Sequence, residues 1–163
     1  MGGDEKTLLA LARIGEMLAG KAPLEKALKK CLPKIAQLVG IDSAGVYLLK
    51  ENSTEMELVY TYGVSRRFAA AVALAKIDRG IVGRVFKSGK PVALSRFSPR
   101  YPLAASIKKE GLKTIAYIPI RGAGKPRGIL CLSNHKPYKF RGTTLRLSLA
   151  LGRQIGNAWE GSL

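Results

Sequence analysis

Asp78-Arg-Gly-Ile-Val-Gly-Arg-Val-Phe-Lys-Ser-Gly-Lys-Pro-Val92 is the stretch on which the fold turns. Gly80 opens a short helix, Ser88-Gly89 closes it, and a brief strand follows from Pro91 to Ser95. The two glycines have two readings. In one, Gly80, Ile81, Val82 and Gly83 present bare backbone N–H groups at the positive helix end, a seat for an anion flanked by Arg79 and Arg84. Arg66 and Arg67 open the preceding helix and add to the charge. Cations at a helix N-terminus cost about 0.3–1 kcal/mol each, which favours a bound anion there. In the other reading the glycines allow only a tight turn and close packing of helix on sheet.

Toward the N-terminus, Ser65 to Lys76 is Ala-rich and predicts a helix capped by Ser65. Before it, Met56 to Tyr62 alternates, with Met56, Leu58, Tyr60 and Tyr62 on one side. The apolar run Ala44 to Leu49 predicts a partner strand, joined through polar Lys50 to Glu55 as a hairpin. Two helices precede it. The first spans about Thr7 to Ala19; the second follows Pro23 on the stripe Leu24, Leu28, Leu32, Ile35, Val39, bends at Pro33 and stops at Gly40.

Toward the C-terminus, a helix is expected at Leu103 to Glu110, then strands Thr114 to Ile120 and Gly128 to Ser133 around a turn at Gly122 to Pro126. A helix from about Thr144 to Trp159 closes the chain. It carries two stripes, Leu147, Leu151, Ile155, Ala158 and Leu145, Leu149, Gly152, Gly156, Trp159, which implies two packing partners. Hairpins at both ends of this order imply an antiparallel sheet with helices on its faces, an α+β fold in a single domain over residues 1–163.

The 163 residues match one domain at roughly 100–200 residues per domain, with no room for a separate output module. Hydrophobic residues make up 47%, enough for a real core. The longest apolar run, Phe68 to Ala75, is less than half of a roughly 20-residue membrane span. With no basic-then-apolar leader, the expectation is a cytoplasmic protein without a transmembrane segment. The net charge of +17 is uneven: residues 1–57 hold eight bases and eight acids, and residues 58–163 hold 20 bases and three acids. Such asymmetry points either to an anionic partner, such as a nucleotide, a phosphorylated metabolite, nucleic acid or an acidic membrane, or to a merely solvated basic surface. Asp78, Glu110 and Glu160 are too scattered for a two-carboxylate mechanism, and no nucleophile has an oriented base, so the chain reads as non-enzymatic. His135 stands alone and is taken as a loop residue.

Three stretches together resemble the GAF domain, the small-molecule sensing module of signalling proteins. They are the opening stretch; Ser98-Pro-Arg-Tyr-Pro102 continuing through Lys109-Glu-Gly-Leu-Lys-Thr-Ile115 to Ile118-Pro-Ile120; and Arg127-Gly-Ile-Leu-Cys-Leu132 with Pro137, Phe140 and Arg153 to Trp159. The resemblance implies an antiparallel sheet of five or six strands. It places the first, second and last helices on one face and ligand-covering helices on the other. It further implies a regulatory, non-catalytic role, an output domain or partner protein outside the chain, and a homodimer through the terminal helices. The dimer set is Leu8, Leu11 and Gly15 with Leu149, Gly152 and Gly156. The ligand set comprises Tyr60, Tyr62, Arg67, Arg79, Gly80, Ile81, Val82, Gly83, Tyr101, Tyr117 and Cys131, expected to hold a small anionic or planar molecule, a nucleotide being one such cofactor. The tyrosines and Cys131 have packing as their alternative role. Two other functions stay open: a basic module binding nucleic acid or protein, and a thiol enzyme similar to the members that reduce free methionine sulfoxide, which needs a reactive partner for Cys131. The Asn-Lys-x-Asp/Glu signature of cyclic-nucleotide phosphodiesterase members is missing, with Asn134-His135-Lys136 in its place.

Overall fold

The computed structural model describes residues 2–162. Two helices come first, α1 (Gly2–Ala19) and α2 (Leu24–Val39). Pro23 caps α2 with an extended backbone, and Gly40, left-handed at φ 89°, stops it by donating its N–H to the Ala36 carbonyl. The chain then forms the hairpin β1 (Ser43–Leu49) and β2 (Glu55–Tyr62), helix α3 (Arg66–Ala71), strand β3 (Leu74–Lys76) and helix α4 (Gly80–Ser88). Strand β4 (Val92–Leu94), helix α5 (Ala104–Glu110), the hairpin β5 (Thr114–Gly122) and β6 (Lys125–Asn134), and helix α6 (Gly142–Gly161) complete it. The six strands order as β3-β2-β1-β6-β5-β4, and every neighbouring pair is antiparallel. The fold is α+β, as the hairpin pattern implies. Among the described residues no helix is long and apolar enough to cross a membrane.

The helix expected over Ser65 to Lys76 is shorter than its composition suggests. Ser65 does cap it, its Oγ accepting from the Phe68 N–H at 3.1 Å. The helix stops at Ala71, and Leu74 to Lys76 pairs with Glu55 to Glu57 as an edge strand. Alanine favours helix only weakly, and the open edge of β2 offers hydrogen bonds that outweigh it: Leu58 N–H to Ala73 carbonyl and Ile77 N–H to Thr54 carbonyl, each 2.9 Å.

One face of the sheet meets α2 and α6, and α1 packs on those two helices. Ile14 of α1, Leu28, Leu32 and Ile35 of α2, and Leu151 and Ile155 of α6 interlock with Val46, Ile118, Ile120, Leu130 and Leu132 in a core with essentially no exposure. The second core lies on the opposite face, where Tyr47, Ile115, Tyr117 and Ile129 meet Val85 and Phe86 of α4 and Ile107 of α5.

In the second stripe of α6, Gly152 and Gly156 are buried against the sheet, while Leu145, Leu149 and Trp159 are half-buried. A Cβ at Gly152 would collide with the Pro119 carbonyl, and one at Gly156 with the Arg121 carbonyl, so these glycines let α6 lie directly on β5. Gly15 of α1 approaches the Gln154 side chain of α6. Leu11 and Leu149 are half-buried against the helix-face core. Leu8 differs: it is 66% exposed, and its neighbour Leu9 is 60% exposed.

Candidate functional site

A mostly apolar cavity of about 70 Å³ lies between the sheet and α3, α4 and α5. That exceeds the roughly 10–15 Å³ one water needs. Its floor is the sheet: Gly45 and Tyr47 from β1, Leu58 and Thr61 from β2, Ile115 and Tyr117 from β5, Cys131 and Ser133 from β6. Its roof comes from Val64, Phe68, Val72, Val82, Leu103, Ile107 and Leu112. No lining residue carries a charge.

The polar groups of the lining are largely occupied. The Tyr47 hydroxyl donates to the Val72 carbonyl at 2.5 Å, and the Tyr117 hydroxyl bonds that of Tyr101 at 2.6 Å. Burial pushes both lining phenols well above the ordinary tyrosine range, so they stay neutral. Ser133 shares a 2.6 Å bond with Ser43. Thr61 and Cys131 are the lining side chains whose polar atoms have no hydrogen-bond partner among the described residues.

Of the residues expected here, Val82, Tyr117 and Cys131 line the cavity. Tyr101 sits one layer behind, through its bond to Tyr117, and Ile81 packs into the same core. Tyr60 and Tyr62 do not face it. A bulge between Val46 and Tyr47 pairs Val46 with Tyr60 but Tyr47 with Leu58, leaving Val59 over. One extra residue reverses the alternation. Leu58 and Thr61 therefore face the cavity, and Tyr60 packs on the helix-face core. Tyr62 lies beyond the cavity wall, 37% exposed.

The arginines also stand apart from the cavity. Arg67 borders an outer groove with Ser65, Lys109 and Glu110. Arg79 is the N-cap residue of α4, its side chain 74% exposed and paired with Asp78 at 3.3 Å. The packing reading accounts for the glycines: Gly80 has φ +70°, and a Cβ on Gly83 would come within 2.6 Å of the Ile77 carbonyl.

A polar clasp closes one side of the roof. His135, just after β6, places Nδ1 3.0 Å from Asp42 Oδ1 and Nε2 3.2 Å from Glu110 Oε2. Its backbone N–H also reaches the Asp42 carboxylate. Glu110, at the end of α5, accepts from the Ser65 N–H at 3.1 Å and the Ser65 hydroxyl at 2.5 Å. Four segments are thus tied together: the entry to β1, the exit of β6, the end of α5 and the cap of α3. Both imidazole nitrogens face carboxylates, which calls for donors on both, the imidazolium form. Partial burial works against that charge, but the bonds to and charges of Asp42 and Glu110 outweigh it and raise the His135 pKa. For the two carboxyls, burial works upward and is outweighed by their hydrogen bonds, so both pKa values fall below the ordinary range. His135 reads from sequence as an isolated loop residue. Only the register, which sets Ser43 opposite Ser133, brings Asp42 beside it.

The two thiols occupy opposite faces. Cys31 lies in the helix-face core, donates to the Ala27 carbonyl at 2.9 Å and is pushed up to about 11 by burial. Cys131 faces the cavity and is pushed up to about 12, also by burial. Neither is poised as a thiolate near neutral pH. Among the described residues no group of three metal-ligating side chains gathers.

Known structures share this fold. The GAF domain of an Acinetobacter phosphoenolpyruvate-protein phosphotransferase superposes with TM-score 0.77 at 19% identity, covering 96% of this chain and 94% of its own. The corresponding domain from Coxiella burnetii gives 0.80 at 20%, covering 96% and 97%. A free methionine-R-sulfoxide reductase from Neisseria meningitidis gives 0.74 at 18%, covering 96% and 92%. Identities this low show the fold alone. No curated protein matches the chain. The family model described as GAF domain matches residues 21–160, which with the shared architecture settles the family: the chain belongs to the GAF domains.

Proposed function

We propose that this domain senses a small, uncharged, planar or compact apolar molecule held in the cavity under the clasp, and relays its presence through α1 and α6. GAF domains serve as ligand-sensing and regulatory modules of signalling proteins. The uncharged class rests on one observation: no charged side chain lines the cavity. An ion entering it would lose its hydration and find no counter-charge, a cost of several kcal/mol. Tyr47 and Tyr117 offer ring surfaces, and Thr61 and Cys131 offer weak polar contacts, which together suit one planar ring with at most one or two polar atoms. The planar half of the sequence expectation is thereby favoured over the anionic half. The relay has its exit in α1, where Leu8 and Leu9 stand uncovered for an output domain or a second copy of the chain.

Thermal melts with indole, phenol and short alcohols, set beside melts with nucleotides, test this reading. At a hundredfold excess over Kd, binding adds about 2.7 kcal/mol, a rise in Tm of roughly 5–10 °C for a domain of this size. Ala75 lines the cavity, and Ala75→Leu should abolish the response without lowering the unliganded Tm. A rise with nucleotides that survives Ala75→Leu would overturn the proposal.

A further inference from the structure

We propose that a groove along the β4 edge, separate from the ligand cavity, binds single-stranded nucleic acid. Two concave stretches meet there. One, of about 490 Å³, runs between the end of β4 and α5, where Arg96, Phe97 and Lys108 line it. The other, of about 730 Å³, runs past β4 to the segment after β6, where Lys139 and Phe140 line it. Both include Ser95 and Lys113, so the two stretches adjoin along β4. β4 is the last strand of the sheet, and among the described residues no further strand covers its outer side.

Arg96, Lys108, Lys113 and Lys139 are all exposed, and no carboxylate lines either stretch. None of the four pairs with an acid among the described residues. Glu110, the acid on α5, is held by Ser65 and His135 in the clasp. Unpaired like charges in one concavity repel each other and raise the local potential, which a chain of phosphates relieves with release of counterions. The groove also belongs to residues 58–163, the part of the chain that carries the whole charge excess. Concavity disfavours a flat bilayer, whose phosphates would meet only the rim. Half-buried Phe97 and Phe140 stand among the cations, the combination of stacking ring and phosphate contact that single strands use.

The test is fluorescence anisotropy of a labelled oligothymidylate, titrated with the protein at 50 and 200 mM KCl. Single-strand binding weakens by about 0.7 log units per log unit of salt for each phosphate contact, so four contacts predict a loss of roughly 50-fold between these salts. Arg96→Gln, Lys113→Gln and Lys139→Gln combined leave one contact and a loss of roughly threefold. A charge-matched control, Lys26→Gln, Lys29→Gln and Lys30→Gln on exposed positions of α2, should bind as the unaltered protein does. Should the groove triple fail to fold, Lys113→Glu and Lys139→Glu taken singly serve the same reading. Equal weakening in both triples would reduce the effect to bulk charge and overturn the proposal. So would no binding at 50 mM, or charge-dependent binding to phosphatidylserine vesicles without binding to the oligonucleotide. Ala75→Leu should leave oligonucleotide binding unchanged, which separates failure here from failure of the cavity reading.

Discussion

The two faces of the sheet are built from different materials. On one, three helices of 16 to 20 residues form a double cover, with α2 and α6 on the strands and α1 on those two helices, and their apolar stripes join one buried core. On the other, helices of six, nine and seven residues roof the strands, and α3 has no fully buried residue at all. A long amphipathic helix presents side chains at every turn and can interdigitate along its whole length. A one- or two-turn helix contributes one or two anchors, and its neighbours reach the sheet by loop. Space remains between them. The face that is poorly suited to stability is the one suited to taking up a ligand.

The largest effect should come from exchanging small for large on the two faces in turn. Leu32 is fully buried in the solid core, and Leu32→Ala should cost about 3 kcal/mol, a fall in Tm of roughly 6–12 °C. Val82 already borders empty space, and Val82→Ala should cost about 1 kcal/mol or less while altering ligand affinity. Denaturant melts of both variants check the contrast. Equal costs would mean that the cavity face is as tightly packed as the other.

The solid face is also the one that sequence describes best. The stripe Leu28, Leu32, Ile35 lies in the core as helical spacing requires, and Gly40 ends α2 where a left-handed residue is needed. The α4 and β4 elements follow the Gly80, Gly89 and Pro91 punctuation closely. On the cavity face, local signals lose to pairing. Period-two alternation put Tyr60 and Tyr62 inward, and no residue type announces the bulge that turns them away, because a bulge belongs to two strands at once. Val82, Tyr117 and Cys131 are accessible to sequence reasoning since the one register shift of the β5–β6 hairpin, between Ile120 and Arg121, lies toward its turn and leaves the Tyr117–Cys131 pairing in phase with the rest of both strands. Asp42, Glu110 and His135 are not, being drawn from three loops and ends that only the folded register brings together.

The clasp ties four segments of the looser face by charge, and it should give an intermediate effect with a defined pH window. His135 has a raised pKa in the fold, so its contribution is complete below the ordinary histidine value and is lost as pH rises through the folded one. Asp42 and Glu110 have lowered values, so theirs is complete above ordinary carboxylate values and is lost as pH falls through the folded ones. The clasp is therefore tightest between about pH 5 and 6.5. Glu110→Gln weakens both the tie to His135 and the Ser65 cap, and should cost about 1–2 kcal/mol within that window. His135→Gln should flatten the upper limb of the stability curve and speed ligand release near pH 6. An unchanged pH profile in His135→Gln would show that the contacts carry no charge.

The smallest effect is expected where the sequence put most weight. Arg79 stands at the start of α4, on the cavity side of the sheet but outside the cavity, and its guanidinium meets only Asp78 among the described acids. An exposed pair of this kind contributes a few tenths of a kcal/mol, and a cation at a helix N-terminus opposes the helix dipole by a similar amount. The two nearly cancel, so Arg79→Ala should shift stability by less than about 0.5 kcal/mol and leave the response to uncharged ligands intact. Gly83→Ala, four residues on, should be far more costly, because its Cβ would press on the Ile77 carbonyl and lift α4 from β3. If Arg79→Ala instead removed ligand binding, the anion seat would hold the ligand, and the looser face would owe its function to a helix end in place of the space beneath it.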